Sequence, residues 1–407
     1  MKKLIFIILF FSVLPVFSQW IQQSSGTTNS LPDIKFINSK TGWAVGVAGT
    51  ILKTTNAGIN WISQTNPIPQ STMFAVFPVD SEYVYAAGPY QKIIKTTNGG
   101  TNWFVLQDGP DSVIQYYYGI HFADRDRGWV CGDNGIFLTV SGGVAFDKVS
   151  NSGVYDIHFR DEFEGIACSG LGRVYRTTNA GIFWDTSRVQ GSPPFGFSLK
   201  NFSFINSDTG FVGSYGGNTF ITTNFGLTWD SIPKPPRSVS NIRFVNMNTG
   251  WIGGDGGYLY KTTNRGLNWL QENVSQFGSS AISSIDNYND SILWLSGNGG
   301  KILYTTTAGT VGITNLNTTV NSFTLYQNYP NPFNPVTEIK FDLLKSGNVS
   351  LKVFDLIGKE VIVLINEKLS SGSYSYNFNA SALSSGIYFY IIETAEFSQT
   401  KKMMLLK

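Results

Sequence analysis

The sequence predicts an all-β protein: a seven-bladed β-propeller followed by a small Ig-like β-sandwich. Two observations predict the propeller. A unit that reads as four short strands recurs at spacings of 38 to 45 residues, which is the period of a propeller blade. Aromatic residues make up 14% of the chain and charged residues only 14%, with 43 glycines, a composition typical of short strands and tight turns. A change of pattern after Gly312 predicts the second unit.

The N-terminus carries the pattern of an export signal. Lys2 and Lys3 precede an apolar run from Leu4 to Leu14, and short residues at Val16 and Ser18 suit cleavage before Gln19. The run is too short for a membrane span of about 20 residues. We therefore predict a signal peptide at residues 1–18 and a mature chain without a membrane span, outside the cytoplasm. An N-terminal anchor is the alternative.

One nine-residue pattern, Lys-Thr-Thr-Asn-x-Gly-x-x-Trp or a close variant, marks each repeat. Asn suits local bonds to backbone amides, Gly a positive φ, and Trp packing between blades. Degraded copies lie at 138–146 and 304–312. Because similar sites around a ring suit architecture, we interpret this box as a structural turn rather than a ligand or calcium site. The box residues are Thr54, Asn56, Gly58, Trp61, Thr96, Asn98, Gly100, Trp103, Thr177, Asn179, Gly181, Trp184, Thr222, Asn224, Gly226, Trp229, Thr262, Asn264, Gly266 and Trp269.

The two ends of the repeat array complement each other. Trp20 lies one period before Trp61, yet no repeat precedes it, and the seventh repeat has Gly312 where its Trp should stand. We predict that the strand of Trp20 supplies the outer strand of blade seven, which removes the open edge of the ring. The propeller would then occupy residues 19–315. An open β-solenoid is the alternative.

The box resembles the Asp-box of BNR-type propellers, with Asn in place of the usual Asp, and the whole repeat resembles the Ycf48-like family over about residues 20–312. The resemblance implies that the box joins the third and fourth strands, on the face away from the usual binding face. Ycf48-like proteins assist photosystem II assembly through a basic patch. Without Lys2 and Lys3, the 29 basic residues fall to 27 against 27 acidic ones, so we expect neither that role nor nucleic-acid binding.

Asp-box propellers include sialidases, so an extracellular glycoside hydrolase is the alternative to a binding protein. A sialidase needs an arginine cluster and a two-carboxylate hydrolase needs converging acids, but few arginines are free and glutamates are scarce before residue 315. The acids at Asp124, Asp126, Asp161 and Glu164 read as solvated turns. We predict no catalytic residues and no cofactor.

Histidine and cysteine occur twice each, at matching positions of repeats three and four. His121 and His158 lack an evident third ligand, so we interpret them as structural and predict no metal site. Cys131 and Cys168 should be too far apart for a disulfide. We expect buried free thiols.

Any ligand should bind on the face opposite the boxes, through turns after second strands and connections between blades. Aromatic, amide and acidic side chains there suit a glycan or a peptide, although inter-blade packing would explain them as well. We predict a monomeric, non-catalytic binding or scaffold module; an adhesin is a further alternative. The candidate ligand-face residues are Tyr90, Lys92, Tyr116, Tyr117, Tyr118, Asp133, Asn134, Tyr215 and Asp255.

Residues 316–407 follow another pattern, with turn-forming Asn-Pro pairs and alternating aromatic residues typical of half-buried strands. They resemble the type A C-terminal sorting domain of the type IX secretion system. The resemblance implies passage through the periplasm, transport across the outer membrane by that machinery, and then cleavage, leaving a secreted or surface-attached passenger. A plain Ig-like accessory or carbohydrate-binding domain is the alternative. The sorting-motif residues are Tyr329, Pro330, Asn331, Pro332, Phe333, Asn334, Pro335, Gly358, Lys359 and Gly386.

Overall fold

The protein folds into seven four-stranded antiparallel sheets and a separate two-sheet sandwich in a computed structural model. The structure describes residues 20–112, 114–189, 198–237, 241–306, 314–315, 320–380 and 383–406. The predicted signal peptide and Gly312 lie outside the described residues. The all-β, seven-bladed fold with a C-terminal sandwich is confirmed.

The first strand of the described chain is β1 (Ile21–Gln23), which belongs to the last blade. Blade 1 contains β2 (Asp33–Phe36), β3 (Gly42–Val45), β4 (Ile51–Thr54) and β5 (Ile62–Ser63). Blade 2 contains β6 (Ala75–Pro78), β7 (Val84–Ala87), β8 (Ile93–Thr96) and β9 (Phe104–Gln107). Blade 3 contains β10 (Tyr117–Phe122), β11 (Gly128–Gly132), β12 (Gly135–Thr139) and β13 (Asp147–Ser150). Blade 4 contains β14 (Asp156–Phe159), β15 (Gly165–Cys168), β16 (Arg173–Thr177) and β17 (Asp185–Arg188).

The remaining blades follow the same order from the innermost strand outwards. Blade 5 contains β18 (Leu199–Phe204), β19 (Gly210–Ser214), β20 (Thr219–Thr222) and β21 (Asp230–Ile232). Blade 6 contains β22 (Asn241–Phe244), β23 (Gly250–Gly253), β24 (Leu259–Thr262) and β25 (Leu270–Gln271). Blade 7 contains β26 (Ile282–Asn287), β27 (Leu293–Gly297), β28 (Ile302–Thr305) and then β1. Short 3-10 turns occupy Val47–Gly49, Asp255–Gly257, Ser275–Phe277 and Asn298–Gly300.

The N-terminal strand closes the ring, as the position of Trp20 predicts. β1 pairs antiparallel with β28, with Ile21 opposite Tyr304. Trp20 is buried in the core between blades 6 and 7 beside Trp251 and Phe277, and its indole N–H donates to a Glu272 carboxylate oxygen at 3.4 Å. β1 is thus the outermost strand of blade 7.

The Phe and Thr-Gly-Trp residues of each repeat form one packing unit. A Cβ added to Gly42 would lie 2.6 Å from the Phe36 ring, so only glycine leaves room for the aromatic ring of the same blade. The Phe36 ring stacks on Trp294 of blade 7 with centroids 3.5 Å apart, and Phe159 stacks in the same way on Trp129 of blade 3. These aromatic pairs join neighbouring blades.

The box forms a closed turn between the third and fourth strands. In blade 2, Thr96 Oγ1 accepts the Gly100 N–H at 2.8 Å and Asn98 Oδ1 accepts the Asn102 N–H at 2.9 Å. Gly100 has φ 92°. The same bonds recur in blades 1, 4, 5 and 6, and in the degraded blade 3 copy Ser141 replaces the Asn. The box Thr and Asn side chains therefore stabilise the turn itself, whereas the Trp61 and Trp103 indole N–H groups donate to Gln23 and Gln64, outside their own turns.

The C-terminal unit is a sandwich of two four-stranded sheets around its own apolar core. One sheet contains β29 (Thr314–Asn315), β30 (Thr324–Leu325), β31 (Val336–Leu343) and β34 (Gly372–Asn379); the other contains β32 (Gly347–Phe354), β33 (Glu360–Leu369), β35 (Gly386–Glu393) and β36 (Ser398–Leu405). Thr314 and Asn315, which precede the predicted boundary at 316, pair with β34 of the sandwich.

Candidate functional site

The innermost strands surround a cavity of about 610 Å³ at the centre of the propeller. Three layers of side chains lie along these strands, with one residue from each blade, except that the blade 6 position of the first layer lies outside the described residues. The mouth layer consists of Pro32, Phe74, Tyr118, Tyr155, Lys200 and Ser283. The staple layer consists of Asp33, Ala75, Gly119, Asp156, Asn201, Asn241 and Ser284. The lower layer consists of Lys35, Phe77, His121, His158, Ser203, Arg243 and Asp286.

Polar residues of the staple layer bind the backbone of the next blade. Asp33 accepts the Val76 N–H at 3.0 Å, and Asp156 accepts the Phe202 N–H at 2.8 Å. Asn201 both accepts the Ile242 N–H and donates to the Ile242 carbonyl. These bonds satisfy inner-strand backbone groups that face the channel, so the layer holds the blades together at the centre.

The lower layer changes from charged to aromatic around the ring. Arg243 pairs with Asp286 at 3.2 Å, whereas the His121 and His158 rings lie 5.2 Å apart, with Phe77 5.0 Å from His121. Burial lowers the pKa of His121 to about 4. Burial and the nearby His121 and Arg243 lower the pKa of His158 as well. Both histidines are therefore neutral packing residues at neutral pH.

An aromatic wall lines the mouth at blades 2, 3 and 4. The Tyr118 ring lies 5.5 Å from Tyr155 and 6.2 Å from Phe74. In blades 2 and 3 the staple-layer residues are the small Ala75 and Gly119, and a Cβ on Gly119 would meet the Cα of Asp156, the blade 4 residue, at 3.2 Å. Small residues below and aromatic rings above leave an apolar surface facing the cavity, suited to stacking or apolar contact.

Cations face this wall from the other blades. The Lys200 ammonium lies 3.9 Å from the Tyr155 ring centroid, and Lys35 and Arg243 also line the cavity. Burial lowers the pKa of Lys35, but the neighbouring Asp33 and Asp286 outweigh it and the net pKa is raised. Burial raises the pKa of Asp156 to about 6 despite its backbone hydrogen bonds, which weakens its negative charge. The cavity can therefore receive an anionic group beside an aromatic one.

Several ligand-face residues named from the sequence lie at this mouth. Tyr118 and Tyr215 line the cavity, and the Tyr215 side chain is 60% exposed. Tyr116 packs edge-on against Phe74, and Tyr90 against Tyr116. Asp133 bonds both the Tyr116 N–H and the Tyr118 side chain. These residues extend or support the aromatic wall.

Other residues of that set have different positions. Tyr117 is 2% exposed and packs inside blade 3 against Phe137, so its assignment to the ligand face is wrong. Lys92 is buried in ion pairs with Asp108 and Asp111 at 2.9 Å and ties down its own turn. Asn134 and Asp255 are exposed in turns and are absent from the cavity lining.

The acids considered for hydrolysis lie on the box face. Asp124 and Asp161 each accept two backbone N–H groups of their own turns, and Glu164 pairs with Arg160 and Arg176. The carboxylates in the cavity are Asp33 and Asp156, which serve as inter-blade acceptors. Among the described residues, no cluster of three His, Cys, Asp or Glu side chains could hold a metal ion. Cys131 and Cys168 are buried and free.

Sequence reasoning missed the residues that most define the cavity: Phe74, Tyr155, Lys200, Lys35 and Arg243. The sequence did contain a signal, because all five have fixed positions relative to the apolar residue at the centre of an inner strand. Phe74, Tyr155 and Lys200 stand two residues before it. Lys35 and Arg243 follow it directly. Aligning the inner strands, rather than the conspicuous boxes, would have revealed the layers.

The sorting-motif residues from Tyr329 to Pro335 form a loop beside β36, whereas Gly358, Lys359 and Gly386 lie elsewhere in the sandwich. Asn331 Oδ1 accepts the Met404 N–H at 2.9 Å, and Phe333 exchanges backbone bonds with Met404 and Leu406. Phe333 is buried, whereas Tyr329 is 79% exposed. Gly358, with φ 82°, and Lys359 form the turn from β32 to β33, and Gly386 begins β35. Pro330, Pro332, Asn334 and Pro335 complete the loop that runs beside β36.

Two family models match parts of the chain. Residues 327–406 match the secretion system C-terminal sorting domain, and residues 14–110 match photosynthesis system II assembly factor YCF48. No curated protein has a significant match to the chain. The resemblances to Ycf48-like repeats and to a type IX sorting domain are confirmed.

Solved structures share the fold at low identity. The chain of "YCF48 bound to D1 peptide" has a TM-score of 0.59 at 19% identity, covering 72% of this chain and 98% of its own. YCF48 from Cyanidioschyzon merolae has a TM-score of 0.59 at 17% identity, covering 70% of this chain and 98% of its own. A third similar structure is PorZ, an essential bacterial surface component of the type-IX secretion system of Porphyromonas gingivalis. Its TM-score is 0.55 at 14% sequence identity, and the match covers 95% of this chain and 60% of PorZ.

The sorting domain implies export to the cell surface or beyond. Among the described residues, no helix is long and apolar enough to cross a membrane. The two family matches together support an exported propeller module with a sorting tail.

Proposed function

We propose that the propeller is a non-catalytic binding module whose ligand is a peptide segment carrying an acidic group next to an aromatic or apolar one. The observation that carries this proposal is the central cavity, which combines the Phe74, Tyr118 and Tyr155 wall with Lys35, Lys200 and Arg243. The C-terminal domain directs export through the periplasm and the type IX machinery, after which the passenger acts outside the cell as a monomer.

Charge and shape support a peptide ligand. Lys35, Lys200 and Arg243 line the cavity together with Asp33 and Asp156. Lys35 pairs with Asp33 and Arg243 with Asp286, which leaves Lys200 as the cation at the mouth. The pKa of Asp156, raised mainly by burial, reduces the negative charge of the cavity near pH 6. The cavity volume of about 610 Å³ lies in the range of small-ligand sites. A propeller of this fold has been solved with a bound peptide.

The test is to probe the mature full chain on peptide and glycan arrays, reading both retained protein and released sugar. Retention on peptides with an acidic residue beside an aromatic one supports the proposal. Retention on glycans alone would replace the peptide ligand by a sugar. Release of terminal sugar would contradict the non-catalytic assignment and point to Asp33 and Asp156, the two carboxylates that line the cavity, as the pair to mutate first.

A further inference from the structure

A row of four tyrosine rings leads from the cavity outwards over blades 3 and 2. Between ring centroids, Tyr155 lies 5.5 Å from Tyr118, and Tyr118 lies 6.2 Å from Tyr116. Tyr116 in turn lies 5.8 Å from Tyr90. All four side chains are half-buried, so each ring keeps part of its surface open to solvent. We name this row the tyrosine track; its inner half, Tyr155 and Tyr118, lines the cavity, and its outer half extends beyond it.

The outer end of the track lies on a strained turn. Tyr90 and Gln91 have φ angles of 57° and 58°, in the left-handed region that residues other than glycine adopt rarely. At the position of Gln91, blades 1, 4, 5, 6 and 7 have Gly49, Gly172, Gly217, Gly257 and Gly300. Strain of this kind persists where the surrounding structure enforces it, and it is concentrated at ligand-binding sites. Chain reversal alone does not require it, whereas presentation of the Tyr90 ring gives it a purpose.

Neighbouring segments hold this turn in place. The Gln91 backbone N–H donates to the Gln115 carbonyl at 3.2 Å, and the two side-chain amides are hydrogen-bonded to each other. The Lys92 ammonium binds Asp108 and Asp111, each at 2.9 Å. The ring at the outer end of the track is therefore fixed before any ligand arrives, which reduces the entropy that binding would cost.

The spacing of the rings matches an extended peptide. Side chains on the same face of an extended strand are about 6.5 Å apart, close to the 5.5 to 6.2 Å between successive rings. Every second side chain of such a peptide can therefore lie against a ring, while the side chains between them point away.

The two ends of the track differ in charge. At the inner end the Lys200 ammonium lies 3.9 Å from the Tyr155 ring centroid. At the outer end two carboxylates, Asp108 and Asp111, share the single ammonium of Lys92, which leaves a net negative charge. A peptide with an acidic residue at the cavity and apolar residues at alternate positions beyond it complements both the rings and the charges. A neutral glycan would complement the rings alone.

We infer that the outer half of the tyrosine track is a second subsite, which binds the continuation of the peptide in an extended conformation. The subsite rests on the proposed function, because the acidic end of the same peptide occupies the cavity. Tyr116 and Tyr90 then select apolar side chains at alternate positions along the ligand.

Calorimetric titration of synthetic hexapeptides into the mature full chain tests the spacing. The parent peptide has Asp at position 1, Phe at position 2 and Ser at the other four positions. Each derivative has a second Phe at position 3, 4, 5 or 6, and the series is made in both chain directions. In one direction, we expect the second Phe to strengthen binding about fivefold at positions 4 and 6, and less than about twofold at positions 3 and 5.

The outcomes separate the subsite from the cavity. A parent that binds, with derivatives that gain nothing or gain equally at all four positions, would overturn the track and leave the proposed function standing. Absence of binding by the parent and by every derivative would contradict both. Binding of glycans that depends on Tyr90, without a gain in any peptide, would assign the rings to a sugar and overturn the peptide track.

A tyrosine substitution assigns the gain to the outer end. In Tyr90→Ala the affinity ratio between the position 6 derivative and the parent should fall to about one, and Tyr90→Phe, which keeps the ring, should restore the ratio. The matched control is Tyr288→Ala, which removes an exposed tyrosine between the first two strands of blade 7 and should keep the wild-type ratio. An unchanged ratio in Tyr90→Ala, or an equal fall in Tyr288→Ala, would contradict the subsite.

Discussion

The role of each inner-strand residue depends on its layer in the cavity and on the blade to which it belongs. The same lower-layer position holds Lys35 in blade 1, Phe77 in blade 2, His121 and His158 in blades 3 and 4, and Asp286 in blade 7. The backbone frame is common to all, so the side chain at each position is free to vary with its neighbours. The histidines sit where aromatic neighbours replace ionic ones, which explains why they pack as neutral rings.

The box threonine should be a measurable stabiliser. Thr96 Oγ1 is buried and accepts the Gly100 N–H, so Thr96→Val leaves that amide without its acceptor. We expect a loss of about 1–3 kcal/mol in unfolding free energy, measured by denaturant titration. Thr97→Val, at the adjacent exposed position, is the isosteric control and should change stability little; equal losses would contradict the assignment.

The two buried histidines should make the stability of the fold depend on pH. Burial lowers the pKa of His121 to about 4 and also lowers the pKa of His158. In the unfolded chain the pKa of a histidine is about 6.5. The stability they contribute is present above about pH 6.5 and is lost as the pH falls towards the folded pKa. His121→Phe with His158→Phe should reduce the acid-side loss by about 2 kcal/mol or more.

Thermal unfolding of this double variant and the wild type, followed from pH 7.5 to 4.5, measures that loss. Asp156 acts in the opposite sense, because burial raises its pKa to about 6 and its contribution is lost as the pH rises through that value. The comparison therefore rests on the difference between the two proteins. Parallel pH curves would show that the histidines do not titrate on unfolding.

Elements of the fold were predictable because their signals repeat. The boxes, the Phe and Thr-Gly-Trp units and the stray Trp20 recur at one period, so blade number and ring closure follow from spacing alone. The cavity was less predictable because its residues differ between blades: Asp33, Ala75 and Gly119 share a position but no chemistry. Tyr117 was misplaced because three successive tyrosines hide the strand alternation that turns Tyr118 towards the cavity.

Ring closure predicts that Trp20 contributes more to stability than its half-buried counterpart in blade 1, Trp61. Trp20 is 2% exposed in the core between blades 6 and 7, so Trp20→Ala should cost about 3–5 kcal/mol. Trp61→Ala removes the equivalent but half-buried ring of blade 1 and should cost less. Denaturant unfolding of both variants checks this; a smaller loss for Trp20→Ala would contradict closure by the N-terminal strand.

At the scale of the whole molecule, the propeller and the sandwich have separate cores, and the ring is closed by β1 rather than by any C-terminal strand. We therefore expect residues 19–315 to keep the propeller fold after the sorting domain is removed. Circular dichroism and tryptophan fluorescence should show a single cooperative unfolding transition. A chain that is unfolded or molten without the sandwich would show that the ring depends on it.

The central claim is that the cavity binds a ligand through its aromatic wall and cations. The most direct measurement is calorimetric titration of the strongest-binding array peptide into the mature wild type, Lys200→Ala and Lys148→Ala. Lys200 lies over Tyr155 at the mouth, whereas Lys148 lies 5.9 Å from the Phe137 ring and belongs to the outermost strand of blade 3. The account predicts about tenfold weaker binding for Lys200→Ala and no change for Lys148→Ala. Equal affinity for all three proteins would contradict it.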